Sequence, residues 1–352
     1  MNTMTSQHID RRHVAVVAPS TPAALIGPAV HAQAMRRIRD KFQLPPVEYP
    51  SVRESLPARE RAADINVASS RGDCAAIFAV VGGNDSITLL KHLDPDALAA
   101  SRVPFVGYSD NTAICNFLWK LGRTSFYGGS TQVQLGAGPS VDQMHAASLK
   151  KVLAGTGSLE LARPADYEVR GHDWQSPIAL TEGGLRAPYP DYLWDGEARI
   201  VTGRSWGGCV QTLLQLAIMN ELPSPDQLCG AILFFELSDE HLGEGNVLKF
   251  VRAFGEAGYF DVVGAVLFGL PPHSRDGGQI IHDDEQRLAP DPAEATAFLG
   301  AISAEIGRYQ PGLPRVLGLP IGHLRPQYVI PYGGKIEVDA VNRKVTAFYD
   351  AL

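Results

Sequence analysis

The chain has 352 residues, 45% of them hydrophobic and 20% charged, with a net charge of −7. That length exceeds one comfortable small core and predicts two domains. The acidic balance excludes a general basic field for nucleic acid and leaves room only for a local basic pocket around an anionic substrate. No run approaches the roughly 18 apolar residues that a membrane span needs. The N-terminal MNTMTSQHIDRRH lacks the apolar core of a signal peptide, so a cytoplasmic protein is expected. Cys74, Cys115, Cys209 and Cys229 are scattered, without CxxC spacing or nearby histidine pairs. They read as buried free thiols rather than as a zinc site or a disulfide framework.

In chain order, RHVAVVAPST opens with a short apolar strand and exits through Pro-Ser-Thr. Helices are expected around Pro28 to Lys41 and Ala58 to Arg71, then a continuous apolar strand from Ala75 to Val81, stopped by Gly82 and Gly83. SITLLKHL reads as a short helix and VPFVGYSD as the next strand and corner, followed by a helix from Asn111 to Leu121. Strands apolar throughout that alternate with helices predict a doubly wound, mostly parallel α/β sheet. Ligands of such sheets sit beyond the carboxyl ends of the strands, where both VVGGND and VGYSD lie.

The segment 156–198 is rich in Pro and Gly and reads as a linker with short strands between an N-terminal domain (1–155) and a C-terminal one (199–352). The second domain offers a helix from Val210 to Met219 and the buried strands CGAILFFEL, VVGAVLFGL and PRVLGLPIGH. It ends in QYVIPYGGKIEVDAVNRKVTAFY, which alternates like antiparallel strands turning at Gly333-Gly334 and Val341-Asn342. A smaller, β-rich α/β domain is expected.

Ser109 stands on the sharp corner between a strand and a helix. There its hydroxyl would project from the top of the sheet, with backbone N–H groups of a helix start beside it. Taken locally, Ser109 or Asp110 reads first as an N-cap, caps being commoner than nucleophiles, and Asp85 as the cap of the segment from Ser86. Gly82 and Gly83 allow the backbone to approach a ligand closely, so the N–H groups of Gly83 and Asp110 form a candidate oxyanion hole.

A serine nucleophile needs a base, and the base an orienting carboxylate. Of the ten histidines, His323 in LGLPIGHLRP follows an apolar strand and a glycine. Glu236 in AILFFELSD ends a strongly apolar strand, with Asp239 the alternative orienter. His8, His13 and His31 are expected near the surface; His92, His145, His172 and His241 sit in polar sequence; His273 and His282 flank a Gly/Asp-rich loop. HDDEQ (His282 to Gln286) reads as a solvated loop, not a metal cluster. Arg325 is open to two readings, an anchor for a substrate carboxylate or phosphate and a surface charge.

Several segments together resemble the serine LD-carboxypeptidases and their microcin-immunity relatives: VAPSTPA, AVVGGNDSITLLKHLD, FVGYSDNTA, TSFYGG, GGCVQTLLQL, ILFFEL and LGLPIGHLRPQYVIPYGGKIEVD. The resemblance implies a nucleophile at Ser109, a general base and acid at His323, an orienter at Glu236 and oxyanion donors at Gly83 and Asp110. It implies an α/β N-terminal domain, a smaller β-rich second domain with the active site between them, no metal or other cofactor, and a homodimer. Of its two branches, one removes a terminal D-amino acid from murein tetrapeptides. The other hydrolyses the acyl link between a peptide or amino acid and a modified nucleotide. GGND before SITLLKHLD is more similar to the second. In that branch a tryptophan stacks on the nucleobase; Trp194 is the nearest match, with Trp206 and Trp174 as alternatives, and Asn84 joins it as a substrate-binding residue. Asn111, and Leu324-Arg325 after Gly-His, depart from the family pattern. The expectation is a serine hydrolase acting on peptidyl or aminoacyl nucleotide conjugates. The alternatives are an LD-carboxypeptidase of cell-wall recycling and a binding protein that sequesters such a ligand unchanged. A glutamine-amidotransferase-like enzyme would want a cysteine where Ser109 stands.

Overall fold

The computed structural model of the chain describes residues 12–240, 242–272 and 292–350. His8, His241, His273, His282 and the 282–286 cluster lie outside the described residues.

HVAVV forms β1 (His13–Val17), buried at all five positions, as a strand covered on both faces must be. Around it lie β2 (Pro46–Glu48), β3 (Cys74–Ala79), β4 (Phe105–Gly107) and β5 (Ser125–Tyr127), all paired in parallel. The segment read as a linker contributes β6 (Ser158–Glu160), the antiparallel hairpin β7 (Asp166–Arg170) and β8 (Leu185–Pro188), and β9 (Leu193–Asp195). The remaining strands are β10 (Ile200–Cys209), β11 (Ile232–Glu236), β12 (Ala265–Gly269), β13 (Arg315–Leu319), β14 (Ile330–Tyr332), β15 (Lys335–Asp339) and β16 (Lys344–Phe348).

The first sheet runs β14-β5-β4-β3-β1-β2 and the second β6-β16-β15-β10-β11-β12-β13-β9. The fold is the expected α/β type, with a mostly parallel first sheet. The second sheet is parallel across β10 to β13 and antiparallel across β10, β15, β16 and β6. One turn departs from the sequence reading. Gly333-Gly334 does not close a hairpin, because β14 pairs with β5 of the first sheet while β15 pairs with β10 of the second. Ile330 and Tyr332 are fully buried, so β14 finds its apolar partner by completing the first sheet. SITLLKHL forms the expected short helix, of 3-10 type (Ser86–His92).

This topology brings the carboxyl ends of β3, β4, β11 and β13 toward one place. The exits after Ala79, Gly107, Glu236 and Leu319 all contribute residues to a single cavity of about 470 Å3 or to the groups behind it. Among the described residues, no helix is long and apolar enough to cross a membrane.

Candidate active site

Ser109 follows β4 by two residues and takes a left-handed backbone conformation, φ 64°. A non-glycine residue there costs about 1–2 kcal/mol, so its surroundings must hold it. They do: its N–H donates to the Tyr127 hydroxyl at 3.1 Å, and its carbonyl accepts from the Thr112 hydroxyl at 2.6 Å. The helix Thr112–Lys120 begins immediately after, which aims the hydroxyl out of the sheet.

His323 lies on the exit from β13, with Nε2 at 2.9 Å from Ser109 Oγ and Nδ1 at 2.7 Å from Glu236 Oε2. Glu236 ends β11 and is 1% exposed. Its other oxygen accepts the Tyr127 hydroxyl at 2.6 Å. The approach demands glycine at 322, where a Cβ would stand 2.2 Å from Glu236 Oε2. Burial by itself lowers the His323 pKa. The Glu236 carboxylate, with Asp239 and Glu240 behind it, outweighs that and holds the imidazole above its ordinary 6.5. The Tyr127 phenol is pushed well above its ordinary value by burial and by the Glu236 charge, so it stays a donor.

Facing the serine is the turn after β3. A Cβ on Gly82 would sit 2.9 Å from Ser109 Oγ and 3.4 Å from the Asp110 nitrogen. At Gly83, φ 143°, a Cβ would meet the Ser20 hydroxyl at 2.3 Å. No side chain fits between this turn and the Ser109 hydroxyl. The turn is pinned by Asp110, whose carboxylate accepts the N–H groups of Asp85 at 3.0 Å and Ser86 at 2.8 Å. Gly83, Asn84 and Asp110 all line the cavity with Ser109 and His323. Chemically, the arrangement can pass a proton from a hydroxyl to an imidazole whose opposite nitrogen is held by a buried carboxylate.

Residues 14–128 match the LD-carboxypeptidase N-terminal domain and residues 202–338 the LD-carboxypeptidase C-terminal domain. The chain belongs to the LD-carboxypeptidase family. A Vibrio cholerae protein named as a carboxypeptidase is 28% identical over 214 residues, which span 60% of this chain and 61% of that protein. The microcin C7 self-immunity protein MccF of Escherichia coli is 25% identical over 295 residues, 82% of this chain and 78% of the relative. The fold is shared with MccF solved in complex with aspartyl sulfamoyl adenosine, at a TM-score of 0.79, 22% identity and 97% coverage of each chain. A MccF-like protein from Streptococcus pneumoniae, solved in complex with AMP, gives a TM-score of 0.79 at 21% identity, covering 96% of this chain and 98% of that one.

Within this LD-carboxypeptidase family member, Ser109, Glu236 and His323 meet within hydrogen-bonding distance. Glu236, not Asp239, reaches the imidazole; Asp239 lines the cavity instead. Neither Ser109 nor Asp110 caps its own helix: Asp110 caps the neighbouring turn, and Asp85 pairs with Arg61. Trp194 lies outside the cavity. It sits in β9 opposite Val316 of β13, packed against the core. The ring that lines the cavity is Trp174, on the loop between β7 and β8, seated on a small cluster of Val30, Ala137 and Ala179. Trp206 is fully buried and donates to Asn116 Oδ1 at 3.0 Å.

The local basic pocket is also absent among the described residues. Six acidic residues (Asp110, Glu168, Asp173, Glu182, Asp239 and Glu240) contribute to the cavity's lining against two arginines, Arg170 and Arg325. Arg325 is not a surface charge: it is largely buried beside Glu168 and Asp142 at the cavity wall. His13 and His31 are buried, not superficial, and His145 is wholly enclosed. All four cysteines are free, but Cys229 is exposed. The residue that sequence reasoning missed is Tyr127. Its signal was a tyrosine in FYG at the end of a buried strand, where a phenol must find a partner.

Proposed function

We propose that the protein is a serine hydrolase cleaving the acyl link of aminoacyl or peptidyl nucleoside conjugates. The observation that carries this reading is the continuous chain from Ser109 Oγ through His323 to Glu236, at 2.9 and 2.7 Å, opening into the cavity. Ser109 Oγ attacks the carbonyl carbon as His323 Nε2 takes its proton. The oxyanion turns to the N–H groups of Gly83 and Asp110, each such donor being worth about 3 kcal/mol. His323 returns the proton to the leaving nitrogen, and an acyl-enzyme ester remains. A water molecule, deprotonated by the same nitrogen, hydrolyses that ester and restores Ser109. Glu236 holds the imidazole in the productive tautomer and stabilises its charged form. No metal or cofactor is needed for these steps. A sequestering protein would have no use for this hydrogen-bonded chain.

The nucleoside side of the reading is supported by Trp174, an aromatic face on the cavity wall, and by the ligands named for MccF and its Streptococcus relative. Removal of a terminal D-amino acid from a murein peptide is the second reading, supported by the family's description and the Vibrio relative. A substrate carboxylate would, however, enter a cavity rich in carboxylates, where Arg325 is already paired. We place the enzyme in the cytoplasm as a homodimer; light scattering of the purified chain tests the latter. The deciding experiment is hydrolysis by wild type and Ser109→Ala of a murein tetrapeptide ending in D-alanine and of an aminoacyl sulfamoyl adenosine. Ser109-dependent cleavage of the adenosine conjugate is expected. Cleavage of the tetrapeptide alone selects the second reading, and turnover unchanged in Ser109→Ala removes the mechanism.

A further inference from the structure

Arg325 stands two residues after His323, 7% exposed, and touches two separate stretches of chain. Its Nη2 lies 3.5 Å from Asp142 Oδ2 and donates to the Ala137 carbonyl at 3.3 Å. Its Nη1 lies 3.5 Å from Glu168 Oε2 on β7, and its own carbonyl accepts the Glu168 N–H at 2.7 Å. That backbone bond sets Glu168 beside the loop of His323, where the guanidinium can reach its carboxylate. Glu168 Oε2 in turn accepts the N–H of Gly184 at 3.0 Å, across the foot of the loop that carries Trp174. The anchor on the far side is rigid, because Arg37 donates to the carbonyls of Leu135 at 3.0 Å and Gly138 at 2.7 Å. One guanidinium thus joins a fixed loop of the first sheet's layer, the β7–β8 hairpin and the segment bearing the imidazole. Ala137, Glu168, Gly184 and Arg325 all line the cavity.

We propose that Arg325 is a positioning residue for His323, tying the β7–β8 hairpin to the histidine loop so that the outer wall of the cavity and the imidazole hold one arrangement. A near-attack geometry tolerates little displacement, and the imidazole has to satisfy Ser109 and Glu236 at once. The planar fork of an arginine reaches two carboxylates from one position, which the single ammonium of a lysine does not. The inference rests on the assignment of His323 as the general base, and its test separates the two.

The test uses the full chain with Arg325→Lys, Glu168→Gln and their combination, and with Arg252→Ala as a control. Arg252 pairs with Glu305 away from the cavity, so its loss probes general destabilisation. Two quantities are read on protein shown to be folded by circular dichroism: the rate at which a fluorophosphonate labels Ser109, and hydrogen exchange across 166–188 and 320–328. Each single substitution is expected to slow labelling at least tenfold and to raise exchange in both segments together. The double variant is expected to be no slower than the worse single one, as coupled residues behave. The control is expected to label at the wild-type rate. Labelling within twofold of wild type in Arg325→Lys, or exchange raised in the hairpin alone, overturns the tie. A wild type that neither labels nor hydrolyses an aminoacyl sulfamoyl adenosine overturns the hydrolase reading, and with it the catalytic meaning of the tie; where it hydrolyses but does not label, kcat on that conjugate replaces the labelling rate with the same thresholds.

Discussion

Replacing Glu236 by glutamine changes one atom type at the most constrained point of the site. The carboxylate is 1% exposed and spends both oxygens, one on His323 Nδ1 at 2.7 Å and one on the Tyr127 hydroxyl at 2.6 Å. An amide has one acceptor oxygen and one donor nitrogen. If the nitrogen faces the imidazole, Nδ1 must present its lone pair and Nε2 carries the proton, so Nε2 cannot accept one from Ser109. If it faces Tyr127 instead, the phenol loses its charged acceptor and must turn its proton elsewhere, Thr112 Oγ1 at 3.2 Å being the neighbour, while the neutral amide oxygen left to Nδ1 no longer stabilises the imidazolium. Removing a triad carboxylate in this way lowers kcat by about 10^4, or about 5.5 kcal/mol of transition-state stabilisation. A second signature follows from charge. The base works only when neutral, and Glu236 is the main influence lifting the His323 pKa above 6.5 against the lowering effect of burial. In wild type, kcat/KM therefore falls as pH drops through a midpoint above 6.5; in Glu236→Gln that midpoint moves down. The assay is kcat/KM on an aminoacyl sulfamoyl adenosine from about pH 5 to 9, the range in which a histidine titrates, with folding checked by circular dichroism. A variant within tenfold of wild type, or one with an unmoved acidic limb, refutes the role given to Glu236.

Ser109→Gly and Ser109→Ala should both be inactive, but the glycine variant should be more stable by about 1 kcal/mol, since φ 64° suits it better; thermal melts of the two compare them directly. Gly82→Ala should lower kcat at least about 100-fold, the loss of roughly one oxyanion donor, because its methyl would sit 2.9 Å from Ser109 Oγ. A melt close to wild type would separate this from misfolding. Trp174→Ala should raise KM for a nucleoside conjugate about tenfold, the worth of one stacked base. Trp194→Ala should leave KM alone and lower the melting temperature. Burial holds His145 neutral, with its pKa lowered to about 4, so the unfolded chain binds the extra proton first. Stability from this group is complete above pH 6.5 and declines by about 3 kcal/mol as pH falls toward 4. Replacing His145 by glutamine should flatten that part of a melting-temperature-versus-pH curve.

The parts of the site that were legible in the sequence are those written by strand chemistry. A strand covered on both faces must be apolar throughout, so VAVV, AAIFAV and ILFFE announce themselves, and a polar residue at such an exit stands out against them. Ser109, Glu236 and His323 are all of this kind. Glycines at 82, 83 and 322 were legible for a related reason, marking strand exits where the backbone turns. Tyr127 was less visible because its hydroxyl acts across the interface between the two sheets, on partners 18 and 109 residues away. Asp110 looked like a helix cap because local sequence cannot say that its carboxylate bonds to the turn at Asp85 and Ser86 instead.

The wall that selects a ligand obeys no such periodicity. Between β7 and β8 the chain has few buried apolar positions, and Trp174 is held by Val30 and Ala137 from elsewhere together with Ala179 of its own loop. Nothing in the sequence around either ring distinguishes Trp174 from Trp194; the difference is that Trp194 lies in a strand paired with β13 and Trp174 does not. Arg325 shows the same limit. Its sequence neighbours are His323 and a proline, but its charge is answered by Asp142 and Glu168, far back in the chain. Ser109, Glu236 and His323 sit at strand exits, where local pattern and global position coincide. On the proposed reading, substrate choice falls to loops positioned by long-range ion pairs, and variation in the β7–β8 loop and at Arg325 is expected to change specificity while the Ser109–His323–Glu236 geometry stays in place.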